Sequence, residues 1–517
     1  MTSKVTAKNP IIPLDYPDVD VIRVDDTYYM ISTTMYFMPG CEILRSYDLV
    51  NWEHATYVYD KLDSTPAQRL EDDLHIYGQG MWAASLRYHN GTFYVVFAAN
   101  DTRKTYLFTA NDVEGPWEKR EIEGFYHDAS LFFDDDNRTY LVYGNREVWL
   151  TELESDLSKP KENGRHQILV SESEADNPNL SYEGAHFYKV NGTYYLFLIR
   201  SLPDRWMRVQ SCFIANSLDE TFSGQDVLVD DRDYCGQGVA QGGVVDTPEG
   251  DWYAILFQDS GAVGRMPILV PVEWRDGDFP IFGDDGKIPV HFHTESTHSD
   301  YPYEPLVGSD DFKKQYPKYY GLAPKWQFNH EPDLSGFSVN NEEGYVALTT
   351  TKVSNQLLQA TNTLTQRMQF PNSSAEVTVD ATNLNDGDIA GFCALQGAYG
   401  FVGITKEGGN YYLVVRSKPL TDLTMQSFTP NNSEEKEWER IPLESPTVTL
   451  KIDADFWQMK DIVRFYYQQD GQFTQIGPDH QVAFKLDHFT GCRFGLFCYS
   501  TKKEGGSAQF SQFKYNS

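Results

Sequence analysis

Residues 85–98 read SLRYHNGTFYVVFA: apolar side chains recur on both sides of Asn90–Gly91, and the second arm opens on the aromatic pair Phe93–Tyr94. Period-two apolar residues around a turn whose centre tolerates positive φ specify a β-hairpin. The same phrase returns as VDVIRVDDTYYMIS at 19–32, SLFFDDDNRTYLVYG at 130–144, HFYKVNGTYYLFLI at 186–199 and GVVDTPEGDWYAILF at 243–257. The copies start roughly every 45 to 65 residues, the blade period of a β-propeller and too long for ankyrin or leucine-rich repeats. Five copies predict five blades.

The repeat also sets a register. About seven or eight positions before each turn stand Asp18, Trp82, Asp128, Glu183 and Gln241, because equivalent positions of a repeat occupy equivalent places in space. If the innermost strand of each blade begins there, all five side chains point into one funnel on the axis. Three of them are carboxyl groups. Crowded carboxyls removed from water cost several kcal/mol unless one is protonated or paired. This arrangement suits acid/base chemistry and serves no purpose for folding alone.

Composition limits the alternatives. A chain of 517 residues exceeds one core and fits two domains. Forty per cent apolar and 14% aromatic residues make a foldable, β-leaning mixture. A net charge of −32 argues against nucleic acid or an anionic membrane as partner and favours a neutral ligand. The start MTSKVTAKNP has no apolar h-region and no apolar run approaches 18 residues, so a cytoplasmic location without a membrane span is expected. Cys41, Cys212, Cys235, Cys393, Cys492 and Cys498 are scattered without CxxC spacing, which predicts reduced thiols, no zinc site and no redox pair.

Along the chain, residues 1–290 read as the propeller, closing on PVEWRDGDFPIFGDDGKIP. HFHTESTHSDYPYEPLVG at 291–308 is polar and contains His and Pro, so it reads as a linker. From 309 to 517, closely spaced alternating segments such as GYVALTT, SAEVTVDAT, NYYLVVRS and VRFYYQQDGQFTQIG predict an antiparallel β-sandwich. The expected class is all-β, with DSTPAQRLEDD (63–73) the best candidate for a short helix.

Each candidate has an ordinary reading beside the functional one. Asp18 follows Pro17 and could merely cap a turn, yet it shares a register with Asp128 and Glu183. Asp20 shares its face one step deeper and ranks second. Asp134, Asp135 and Asp136 form a hairpin turn rather than a calcium loop, since the Gly and terminal Glu of such a loop are missing. Glu183 stands beside Tyr182 in a partly apolar funnel, which predicts a raised pKa and a retained proton. Tyr36, Phe37, Trp82, Tyr126 and Trp206 are candidate sugar-stacking faces or ordinary packing. Arg265 is a hydrogen-bond clamp or a structural ion pair. His127 either tunes the charge of Asp128 or packs.

At these residues the chain resembles the glycoside hydrolase family 43 enzymes, in the two-domain β-xylosidase and α-L-arabinofuranosidase branch, over nearly its whole length. NPIIPLDYPDVDVIRVDDTYYM (9–30) is similar to the opening segment of the family, HDASLFFDDDNRTYLVYG (127–144) to its middle motif, YEGAHFYKVNGTYYLFL (182–198) to its third and GRMPILVPVEW (264–274) to its closing motif. The resemblance implies that Asp18 is the general base, that Asp128 orients the acid and raises its pKa, that Glu183 is the general acid, and that Arg265 contacts substrate. PKWQFNHEPDLSGFSV (324–339) and NTLTQR (362–367) resemble the concanavalin-like sandwich that leans over the funnel in these enzymes. CYSTKKEGG (498–506) is expected to be the loop that reaches it. Many relatives carry a fifth-blade histidine near an axial calcium ion, whereas YCGQGVAQGGVVD (234–246) offers Gln237 and Gln241 and no histidine. This counts against calcium, and no cofactor is required.

The implied activity is exo-acting, inverting hydrolysis of terminal β-D-xylose from xylooligosaccharides, of α-L-arabinofuranose, or of both. Trp82, Arg265, Tyr36, Phe37, His127 and Gln241 would contact sugar. An arabinan- or galactan-cleaving relative and a non-catalytic carbohydrate-binding propeller are the alternatives. Relatives often assemble, so a homo-oligomer of unspecified size belongs to the same expectation.

Overall fold

The computed structural model describes residues 2–421 and 429–517. Five four-stranded antiparallel sheets each use consecutive stretches of chain, with innermost strands Asp20–Val24, Ser85–His89, Ser130–Phe133, Glu183–Val190 and Val239–Asp246. Each innermost strand pairs with the second arm of its hairpin, for example Leu86 with Val95 and Val21 with Met30. Second arms such as TFYVVFAA are apolar on successive residues because blades pack face to face and bury both sides of the sheet. Ile43, Leu86, Val95 and Phe97 share one such cluster, and Val142, Leu150, Phe187 and Leu196 another.

The second domain stacks a seven-stranded sheet on an eight-stranded one. Val346, Val377, Phe392, Ile452, Phe465 and Phe494 belong to the core of this sandwich. The eighth strand of the larger sheet is Phe37–Met38 of blade one, paired with Gln327–Asn329. Ala262, Val263 and Met266 of blade five belong to the sandwich core. The two domains therefore share a sheet and a core.

Two local expectations are corrected. Residues 63–73 form turns, not a helix: Ser64, Leu70 and Asp72 adopt φ of 54°, 53° and 50°, values that break right-handed helical geometry. Residues 291–308 are not wholly irregular, since Phe292–Ser296 pairs antiparallel with Ser3–Ala7. Among the described residues the only helical elements are four 3₁₀ turns, and no helix is long and apolar enough to cross a membrane. The six cysteines are unpaired.

Candidate active site

Four blades turn into their innermost strand through a left-handed residue: Asp18 (φ 52°), Asp128 (φ 49°), Gly184 (φ 64°) and Gln241 (φ 60°). Bulges after Glu183 and after Ala240 break the ladder at the same level and re-aim the side chains there. At 184 a Cβ would lie 2.6 Å from Cδ of Gln241, so a side chain there would have to displace Gln241. Strained backbone repeated at one level of a scaffold is typical of a functional site.

Asp128 and Glu183 meet around His127, whose Nε2 lies 3.3 Å from Asp128 Oδ2 and 3.3 Å from Glu183 Oε2. Asn145 Nδ2 donates to Glu183 Oε2 at 2.6 Å, and the Gly184 amide donates to Asp128 Oδ2 at 3.2 Å. Asp18 is held by a different partner. Arg265 Nη1 donates to its Oδ1 at 2.8 Å, while Oδ2 has no protein partner among the described residues. Arg265 is 2% exposed, and its Nε and Nη2 are buried without partners.

Burial, with the charges of Glu183 and Asp18, pushes Asp128 up to about 7 against the opposing pull of His127. Burial also opposes charge on His127, but Asp128, Glu183 and Asp18 outweigh it and raise the imidazole to about 9. Glu183 is subject to the same burial. The His127 hydrogen bond and charge, with Arg208 and Asn145, overcome it and hold Glu183 below the ordinary carboxylate range. These directions run opposite to the expectation of a raised Glu183: burial raises Asp128, while His127, 3.3 Å from both carboxyls, lowers Glu183 with help from Arg208 and Asn145.

A wall of the site comes from the sandwich. Phe489 lies 4.4 Å from the Arg265 guanidinium, and its ring meets Trp82 edge-on at 5.6 Å. Trp82 meets His127 in the same way at 5.7 Å. Phe489 has φ of 60°, an outlying conformation for a bulky aromatic residue. The loop carrying it is the one before strand Arg493–Ser500, so the expectation that 498–506 reaches the funnel is corrected. Cys498–Ser500 instead pairs inside the sheet.

Tyr36 and Phe37 are not sugar platforms, because the shared sheet draws both into the domain interface. The Tyr36 hydroxyl lies 2.9 Å from Thr490 Oγ1, bracing the Phe489 loop, and Phe37 stacks under Arg493 at 3.5 Å. Tyr126 is packed on Tyr143 with its hydroxyl on the Glu123 carbonyl. Trp206 remains near the site, half-buried 5.8 Å from the Arg208 guanidinium. Gln241 is buried against Gly184, and its backbone N–H donates to Gln210 Oε1 at 2.8 Å. Asn145, Arg208, Asp259 and Phe489 were not anticipated. Arg208 pairs with Asp259 at 2.7 Å, and neither lies in the repeat register that picked out the acids.

Asp20, ranked second, has a structural place. It accepts from Arg87 at 2.6 Å, from the Leu86 amide at 2.8 Å and lies 3.2 Å from His186 Nδ1, joining blades one, two and four at the axis. Burial opposes its charge, yet Arg87 and His186 lower it to about 2. The space lined by Asp20, Asp128, His186 and Gln241 measures only about 10 Å³. Calcium needs six to eight oxygen ligands, and here the one fully buried carboxylate is already taken by N–H donors, so these residues do not fit the ion. His127, Asp128 and Glu183 bring donor atoms within 4.8 Å of one another, as a metal site would. Their facing oxygens, however, accept from Asn145 and Gly184, which fits a hydrogen-bonded acid pair better than a metal shell.

The five-bladed propeller thus presents acids from separate blades at one end of its axis, with a sandwich loop as their roof. The family model for glycosyl hydrolases family 43 matches residues 7–280, and that for the beta xylosidase C-terminal concanavalin A-like domain matches 309–516. The chain belongs to glycoside hydrolase family 43 and is a glycosidase. It is similar to a beta-xylosidase from Formosa agariphila, 26% identical and covering 98% of this chain and 90% of that protein. A non-reducing end alpha-L-arabinofuranosidase from Bacteroides ovatus is 25% identical over 67% of this chain and 66% of the other. Among solved structures, a bifunctional GH43-CE protein from Bacteroides eggerthii superposes with a TM-score of 0.89 at 39% identity. That match covers 99% of this chain, which spans 64% of the longer protein.

Proposed function

We propose that the enzyme hydrolyses terminal β-D-xylosyl or α-L-arabinofuranosyl residues of short oligosaccharides by single displacement with inversion. The observation that carries this reading is the division of the acids: Asp18 pairs with Arg265 and keeps one oxygen free, while Asp128 and Glu183 both lie 3.3 Å from His127. A lone carboxylate with a free oxygen suits activation of water. A carboxyl pair that retains a proton suits protonation of the leaving oxygen. Glu183 protonates the leaving oxygen, Asp18 takes the proton of the attacking water, and Asp128 with His127 holds Glu183 in place. Arg265 clamps Asp18 on the sugar-facing side, and Phe489 with Trp82 walls the pocket, which supports exo action. No step requires a metal. The names of the relatives support xylose and arabinose alike.

The test is turnover of p-nitrophenyl β-D-xylopyranoside and α-L-arabinofuranoside, with the anomer first released read by proton NMR. Inversion yields α-xylose first from a β-xyloside; β-xylose first would overturn the single displacement. Because burial raises Asp128 to about 7, the pair is protonated below that pH and loses its proton above it. We therefore expect kcat/KM to fall as pH rises through about 7, and Asp128→Asn to abolish that limb. A limb unchanged in this variant would assign it elsewhere.

A further inference from the structure

The turn Ser260 to Gly264 delivers Arg265 into the funnel and is gripped from both domains. Asp461 of the sandwich accepts the Ala262 amide at 3.0 Å, and the Ala262 carbonyl accepts the Cys492 amide at 2.7 Å. Facing this turn is Asp15, three residues before the candidate base and 5% exposed. Its Oδ1 accepts the Arg265 amide at 2.8 Å, and its Oδ2 accepts the Gly491 amide at 2.8 Å. Gly491 follows Phe489 by two residues. The joint leaves no slack: a Cβ on Gly264 would strike the Asp15 carboxylate, and one on Gly491 would lie 2.9 Å from Asp15 Cβ. The backbone behind it is fixed as well, since Arg367 Nε donates to the Asp15 carbonyl at 2.8 Å and Arg367 pairs with Glu42 at 3.1 Å.

Asp15 therefore spends its two oxygens on two backbone amides, one in the strand that bears the base clamp and one in the loop that bears the roof. Only a carboxylate offers two acceptors in this geometry; an amide must turn a donor toward one of the N–H groups. We propose that Asp15 is a positioning residue of the glycosidase, setting the separation of Arg265 and Phe489 and so making the sandwich a working part of the sugar pocket. The proposal rests on the reading above that Arg265 and Phe489 face the sugar.

A double-mutant cycle on KM and kcat with the p-nitrophenyl glycoside tests it. Phe489→Ala and Asp15→Asn are each expected to raise KM about tenfold with a smaller change in kcat, as lost pocket contacts do. The double variant should exceed Phe489→Ala by no more than about twofold, because the position of a wall ceases to matter once the wall is gone. Multiplicative effects, or Asp15→Asn lowering only thermal stability, would overturn the proposal while leaving the pocket reading intact. An unchanged KM in Phe489→Ala would overturn both. Should Asp15→Asn fail to fold, Asp15→Ser, which keeps one acceptor in less space, enters the same cycle with the same criteria.

Discussion

Glu183→Gln is expected to lower kcat on xylobiose by about 10²- to 10⁴-fold, the range of a lost proton transfer in the transition state, and on p-nitrophenyl xyloside by only about tenfold. The difference lies in the leaving group. A sugar alkoxide cannot depart unprotonated at neutral pH, whereas a nitrophenolate can. The substitution is nearly isosteric and keeps an acceptor toward Asn145 and His127, so folding should be retained and circular dichroism should match the parent. Equal losses on both substrates would remove Glu183 from the acid role.

The second large effect belongs to Asp18. Asp18→Asn should lower kcat by about 10²- to 10⁴-fold on both substrates alike, because water must be activated whatever group leaves. The two variants thus separate by leaving-group dependence and not by the size of their losses. The amide also deprives Arg265 of its 2.8 Å charge partner. Removing one member of a buried ion pair costs roughly 3–5 kcal/mol, so the variant should unfold at lower denaturant concentration as well. A loss on xylobiose alone would exchange the assignments of Asp18 and Glu183.

The propeller was legible because its information is local. SLRYHNGTFYVVFA and its four relatives specify hairpins through period-two alternation and turn residues a few positions apart, and five copies in one register select the axis. That register also singled out Asp18, Asp128 and Glu183, which the structure brings to the same end of the funnel, two of them around His127. In the structure Arg265 pairs with Asp18 and Trp82 meets His127 edge-on.

Local pattern misled where conformation or partner was set from a distance. Residues 63–73 have helical composition, but left-handed turns at Ser64, Leu70 and Asp72 interrupt them. Tyr36 and Phe37 look like any exposed aromatic pair until Gln327–Asn329, almost 300 residues later, takes Phe37–Met38 as a sheet strand. Glu183 was expected to be raised by a partly apolar funnel beside Tyr182, whereas His127 and Asn145 lie against its carboxylate and pull it down.

By itself, then, the sequence determined what short-range alternation and repetition can encode: the blades, their number, the sandwich, and which carboxyl groups share a level of the axis. The tertiary structure alone decided that His127 stands between Asp128 and Glu183, that Arg265 pairs with Asp18, and that Phe489 of the sandwich reaches the acids. Those are contacts between residues tens to hundreds of positions apart, and their energies depend on distance and burial, quantities that come into being only when the blades and the two domains close on each other.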